Sequence, residues 1–225
     1  MGYRWDFLDH KTYNNKSGHY KFGLEYSFIM NNLIRKHDRI LDIGGGSGRF
    51  ALPLSNYCKK VIVIDINPDA LEILRARNRT IETICGDFLE IKLSETFSFI
   101  IGIEVLGFFE DKNVFFKKVN SLLDNEGVFV FTFTNPNSWR FLLRRLGHLR
   151  TGTNNYHEIS ITDLKKILAL NNFKILKMEG MNWVPLPLKT DNFLVNIFSG
   201  LEKFFQLKKW ISQSPWIMVS IKKIS

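Results

Sequence analysis

ILDIGGGSGRF, Ile40 to Phe50, is an apolar run that meets an acid at Asp42 and then glycines at Gly44, Gly45, Gly46 and Gly48. The run reads as a β-strand, the glycines as a tight turn and the residues beyond them as a helix start. Alternating glycines at a strand end let main-chain atoms come against a ligand, because a Cβ there blocks both the backbone conformation and the approach. The acid decides which ligand. Loops that hold phosphate are built from N–H groups and positive dipole, so a carboxylate beside this loop points to a ligand that presents donors or positive charge.

Outward from the loop, short apolar runs alternate with helix-period segments. Strands are expected near 39–43, 60–64, 81–85, 97–103 and 127–133, with helices near 22–36, 48–57, 68–78 and 112–123. That alternation is the pattern of a parallel sheet wrapped by helices. After Thr134 the rhythm changes. Asn135-Pro136-Asn137 is a turn, and Trp139, Leu142, Leu143, Leu146 and Leu149 recur at helical spacing among Arg140, Arg144, Arg145 and Arg150. A polar loop follows at Thr151 to Tyr156, then a helix near 161–170, a strand near 173–182, a helix near 192–208 and a strand near 215–223. The long excursion before the last strand predicts that it inserts antiparallel beside its predecessor. The expected fold class is α/β: a doubly wound seven-stranded sheet, mostly parallel, with helices on both faces. One domain over 1–225 is expected, comprising a helical cap (1–38), a cofactor-binding half (39–134) and a substrate-side half (135–225) with a basic amphipathic insertion at 137–157.

With 225 residues, 45% of them hydrophobic, the chain can bury a full core. Cys58 and Cys85 have no paired metal or redox spacing, and the five histidines form no ligand motif, so a metal-independent protein of a reducing compartment is expected. The N-terminus has charges where a signal peptide needs an apolar stretch, and the longest apolar run, Phe97 to Phe109, contains Glu104. Neither export nor a membrane span is indicated, and the expected location is cytoplasmic. The net charge of +9 arises entirely in residues 135–225, with 14 Lys and Arg against 5 Asp and Glu. Such asymmetry marks either a solvated basic face or a surface for phosphate, anionic lipid or nucleic acid.

Four acids fall at or just after the carboxyl ends of successive expected strands: Asp42, Asp65, Asp87 and Glu104. In an open α/β sheet those ends form the ligand crevice. Several carboxylates there are costly unless donors or a cation compensate them. S-adenosylmethionine matches that demand, with an ammonium for Asp42, ribose hydroxyls for Asp65 and the adenine amine for Asp87. The competing reading is a nicotinamide dinucleotide, because Gly46-Ser47-Gly48-Arg49-Phe50-Ala51 fits G-x-G-x-x-A. Against it, a pyrophosphate at this loop meets the like charge of Asp42.

These residues resemble a class I S-adenosylmethionine-dependent methyltransferase, from about Tyr20 to the C-terminus. ILDIGGGSG resembles the family's D-x-G-x-G-x-G loop, VIVIDINPDAL its ribose block with Asp65 and Ile66, and TICGDF its adenine block with Asp87 and Phe88. FSFIIGIEVLGFFED, with Glu104, resembles the fourth-strand block and LLDNEGVFVFTFTNPN the fifth. TNPNSWRFLLRRLG and NNYHEISITDLKKIL resemble small-molecule enzymes of the quinone-biosynthesis O-methyltransferase type and relatives in bacterial glycan and lipid pathways. The resemblance implies a Rossmann-like fold and S-adenosylmethionine bound by Asp42, Gly44, Gly45, Gly46, Gly48, Asp65, Ile66, Asp87, Phe88 and Glu104. The chain departs from that pattern at Ser98, where Asp is common, and at Gly107 and Phe108, where such enzymes often read Glu-His. Nucleic-acid amino-methyltransferases carry a D/N-P-P-Y-like segment after the fourth strand, which is absent here. A small-molecule acceptor is therefore expected, with a non-catalytic cofactor-binding module as the alternative. For a hydroxyl acceptor the candidate bases are His157 first, then Glu158, His19 and Tyr20. The segment from Trp139 to Arg150 is expected to lid the acceptor pocket and to contact anionic membrane.

Overall fold

The computed structural model describes residues 6–33, 37–145, 156–187 and 189–224. Seven strands form one sheet: β1 (His37–Ile43), β2 (Cys58–Asp65), β3 (Glu82–Cys85), β4 (Phe97–Gly102), β5 (Leu123–Thr134), β6 (Phe173–Met181) and β7 (Trp216–Lys223), in the order β3-β2-β1-β4-β5-β7-β6. The first five strands pair in parallel. β7 lies between β5 and β6 and runs antiparallel to both. The expected topology is present, including the inserted last strand.

Seven helices accompany the sheet: α1 (Lys16–Asn32), α2 (Ala51–Leu54), α3 (Pro68–Arg77), α4 (Lys112–Leu122), α5 (Trp139–Arg145), α6 (Ile161–Leu170) and α7 (Leu194–Phe204). Side chains alternate across each strand, so one sheet face is filled by Leu41, Ile43, Ile62 and Ile64 with Phe115 and Phe116 of α4 and Leu164 of α6. The other is filled by Ile40, Val61, Val63 and Ile101 with Phe28 and Ile29 of α1 and Leu71 and Leu74 of α3. Parallel strands covered on both faces read as continuous apolar runs, which is why they were visible in the sequence.

Helix boundaries moved. α1 begins at Lys16, earlier than the expected 22, because the Asn15 side chain caps it by accepting from the Gly18 N–H. The helix expected over 48–57 is reduced to one α-turn at α2 and a 3₁₀ turn at Ser55–Tyr57, since the glycine loop occupies 44–48. α7 is shorter than the expected 192–208, because Gln206 turns left-handed at φ +50 and stops it. The helix expected to Leu149 is seen as α5; Leu146 to Asn155 lie outside the described residues. No helix among the described residues is long and apolar enough to cross a membrane.

Candidate cofactor and acceptor site

The carboxyl ends of β1, β2 and β4 meet at the glycine loop. Gly44, Gly46 and Gly48 adopt φ of +70, +53 and +93, conformations that L side chains rarely enter. The sequence reading gave these glycines two tasks, an unusual backbone conformation and close approach; the φ values bear out the first, and the space beside Gly44 and Gly48 is filled by the chain itself. A Cβ on Gly44 would collide with Val105 Cγ1, and one on Gly48 would lie 2.5 Å from Leu74 Cδ1. A Cβ on Gly45 would lie 2.5 Å from Oδ2 of Asp42. The loop is thus glycine-rich chiefly so that it can fold tightly against its own neighbours.

Asp42 is the next-to-last residue of β1, with 2% of its surface exposed. The Ala51 N–H donates to its carboxyl, and Oδ2 has no partner. Burial pushes its pKa up to about 8, with Asp65 adding to the rise and Arg49 opposing it. Asp65, at the end of β2, accepts from the Gly46 N–H at Oδ2 and from the Asn67 N–H at Oδ1, both at 2.8 Å. Its carboxyl is also raised, again mainly by burial. The Asp65 carbonyl accepts from the Gly86 N–H at 3.0 Å, which brings the Asp87 turn alongside. Asp87 itself is exposed and accepts from the Leu89 N–H. Ile66 is 75% exposed beside Asp65. Phe88 points the other way, into the core against Phe109 and Phe115, so its ring is a packing residue and offers no face to a ligand.

Glu104 follows β4 at φ +64, with its N–H donating to Thr132 Oγ1 at 2.8 Å. A left-handed glutamate costs on the order of 1–3 kcal/mol, a strain of the kind that gathers at functional sites. Its Oε1 pairs with Lys21 Nζ at 2.8 Å and Arg49 Nη2 at 2.9 Å, and Oε2 accepts from the Tyr13 hydroxyl at 3.3 Å. Against the penalty of burial, those cations hold Glu104 down to about 2. Arg49 also faces Glu25 at 3.5 Å and lies over the Tyr13 ring. Glu25 is pushed up to about 7 by burial, which Arg49 and Lys21 partly oppose. The floor of the crevice is therefore a buried network of two carboxylates and two cations, with Asp42 at its margin.

An N-terminal strap crosses the loop. Asp6 pairs with Arg77 of α3 at 2.6 Å, the Phe7 N–H donates to Ser47 Oγ at 3.0 Å, and Tyr13 ends the strap on Glu104. After β4, the His157 N–H donates to the Gly107 carbonyl at 2.7 Å, and His157 and Glu158 are exposed. Tyr156 lays its ring directly where a Gly107 side chain would be and meets Phe108 edge-on, with ring centroids 5.6 Å apart. The departure at Gly107 and Phe108 thus makes room for Tyr156. Burial raises the Tyr156 phenol to about 12, with Glu104 among the nearby charges. His19 is exposed and Tyr20 half-buried.

The described part of the basic segment leaves Leu142 and Leu143 exposed. Arg140 is drawn inward, donating to the Val184 and Leu186 carbonyls.

Comparison with known proteins agrees with this geometry. Residues 18–178 match a family model described as a methyltransferase domain. A ubiquinone biosynthesis O-methyltransferase of Bradyrhizobium diazoefficiens is 29% identical over 160 residues, 65% of this chain and 62% of the relative; the chain thus spans less than two thirds of that protein's length. A carboxy-S-adenosyl-L-methionine synthase of Nautilia profundicola is 28% identical over 73% of this chain and 78% of its own. The fold is shared with magnesium protoporphyrin IX methyltransferase of Synechocystis, solved with bound S-adenosylhomocysteine, at a TM-score of 0.67 and 16% identity over 100% of this chain and 90% of that one. It is shared too with the N-methyltransferase NodS of Bradyrhizobium japonicum, also solved with S-adenosylhomocysteine, at 0.64 and 17% over 97% and 91%. With the 3-2-1-4-5-7-6 sheet and the acid-flanked glycine loop, these matches place the chain in the methyltransferase domain family, as a class I S-adenosylmethionine-dependent methyltransferase domain.

Proposed function

We propose that the chain moves the methyl group of S-adenosylmethionine to a hydroxyl of a small lipid, quinone or sugar intermediate by in-line displacement. Oδ2 of Asp42 carries this reading: a buried carboxylate oxygen without a partner, beside the glycine turn, is a site for an ammonium group. Asp65, fixed at both oxygens by backbone N–H groups, keeps lone pairs for a ribose diol. Exposed Ile66 offers an apolar face and exposed Asp87 an acceptor for the adenine end. Glu104 acts through Lys21 and Arg49, holding both cations at the crevice floor.

When bound, the cofactor supplies a methyl already activated by a sulfonium, so the chain's own task is orientation, worth up to ~7–11 kcal/mol in well-aligned reactions. Tyr156 and Phe108 would wall the acceptor, and His157 would take the hydroxyl proton. His157 is anchored by its own backbone to Gly107, which fixes the side chain's origin near the crevice. Calorimetric titration with S-adenosylhomocysteine and with NADH, followed by an acceptor screen with labelled cofactor, tests the reading. Binding of S-adenosylhomocysteine alone and label transfer to a hydroxyl support it. NADH binding favours the dinucleotide reading, and cofactor binding with no transfer to any acceptor favours the non-catalytic module.

A further inference from the structure

Only part of the apolar surface of α7 is buried. Val195 and Glu202 turn into the protein, while Phe193, Ile197, Leu201 and Phe204, spaced four, four and three residues apart, are 64, 51, 42 and 79% exposed. At helical spacing they form one stripe along the outer face. Phe205, just before the left-handed turn at Gln206, and Trp210, four residues after it, are 59 and 62% exposed. Six large apolar side chains turned to solvent mark a surface that something covers.

Two further observations identify what covers it. Lys203, Lys208 and Lys209 stand exposed within the same segment, Lys208 also reaching Glu179 at 3.2 Å, and the whole positive excess of the chain belongs to residues 135–225. The segment also hangs from the reactive rim. Met181 at the end of β6 pairs with Trp216 at the start of β7, and Trp216 pairs with Thr134 at the carboxyl end of β5. The excursion carrying α7 therefore leaves from, and returns to, the sheet edge where Asp42 and Glu104 lie.

We propose that this stripe seats on an anionic lipid bilayer. The aromatic and branched side chains enter the boundary between headgroups and acyl chains, the lysines meet lipid phosphates, and the crevice is held over the membrane so that an acceptor with a lipid tail reaches it without leaving the bilayer. Delivery of the acceptor rests on the methyltransferase reading; docking does not. The proposed site is α7 and the turns after it, a different stretch of sequence from the Trp139 to Arg150 segment on which the sequence reading placed the membrane contact.

Co-sedimentation of the full chain with phosphatidylcholine vesicles, with and without phosphatidylglycerol, tests the proposal. Wild type should bind the anionic vesicles, with affinity falling as salt rises. Ile197→Asp with Phe204→Asp should lower binding ~10-fold or more, and Lys203→Glu with Lys209→Glu should remove the preference for anionic lipid. Unchanged S-adenosylhomocysteine affinity in these variants shows that they are folded and keeps docking separate from the cofactor reading. No wild-type binding, equal binding by the aspartate variants, or a dimer that these variants dissociate in the absence of vesicle binding would overturn it.

Discussion

Asp42 ties cofactor affinity to pH in a defined direction. Its carboxyl is 2% exposed, Oδ2 is unpartnered, and burial pushes its pKa up to about 8. Near pH 6 to 7 the cofactor-free protein therefore holds this group protonated, and pairing it with an ammonium requires the proton to leave. Binding should release about one proton, and affinity should rise about tenfold, or ~1.4 kcal/mol, per pH unit across that interval. Titration calorimetry with S-adenosylhomocysteine in two buffers of different ionisation enthalpy measures both quantities. Asp42→Asn keeps the shape and should abolish both the proton release and the slope while weakening binding. Equal wild-type affinity at the two pH values without proton release, or a slope that persists in the asparagine variant, would refute the reasoning. The same group sets a stability trend. An acid with a raised native pKa keeps a proton that the unfolded chain has lost, so stability falls as pH rises from about 4 to about 8. Glu25, raised to about 7, adds to that fall. Saturating cofactor should flatten the Asp42 part.

Glu104→Gln leaves two buried cations, Lys21 and Arg49, facing Glu25 alone and should destabilise by ~3–5 kcal/mol in urea unfolding at neutral pH. Because Glu104 is held down to about 2, its contribution is present above about 4.5 and is lost as pH falls through about 2, so the variant and wild type should converge in acid. Gly44→Ala meets both the positive φ and Val105 and should cost about 2–4 kcal/mol, and adding Val105→Ala should recover the steric part while leaving the backbone strain. Gly107→Ala displaces the Tyr156 ring and the adjoining His157, so turnover should fall about 10- to 100-fold with S-adenosylhomocysteine affinity unchanged. Equal turnover in a labelled-methyl assay would show that this wall has no part in catalysis.

The sheet and the glycine loop were legible because buried parallel strands are uninterrupted apolar runs and the loop's positive φ values demand glycine. The crevice floor was not. Lys21 and Glu25 are charged residues on the inward face of α1, where an apolar stripe is the usual signal, so the helix seemed to begin only at Phe22. Their spacing of four, on the helix face they share with the buried Phe28 and Ile29, was the available hint of a buried pair. Phe88 follows an acid that was expected to bind the cofactor and was read with it, yet the chain turns at Gly86 and aims that ring into the core. Tyr156 lies in an irregular segment without periodicity, and only the missing side chain at Gly107 betrays it. α7 was read as running on to residue 208 because no glycine or proline marks the left-handed turn at Gln206, and the exposed part of its apolar face became visible only once the buried part was located.

The insertion of β7 between β5 and β6 has a consequence for how the protein comes into being. β6 joins the sheet through β7 alone, although it is made some forty residues earlier. During synthesis, then, β6 and everything hung between it and β7 wait without a place until the final strand emerges. A chain stopped at Pro215 would lose two strands for the loss of one. The cofactor loop can therefore form before the segment between β5 and β7, where Tyr156 and His157 are proposed to serve the acceptor, has its place on the sheet.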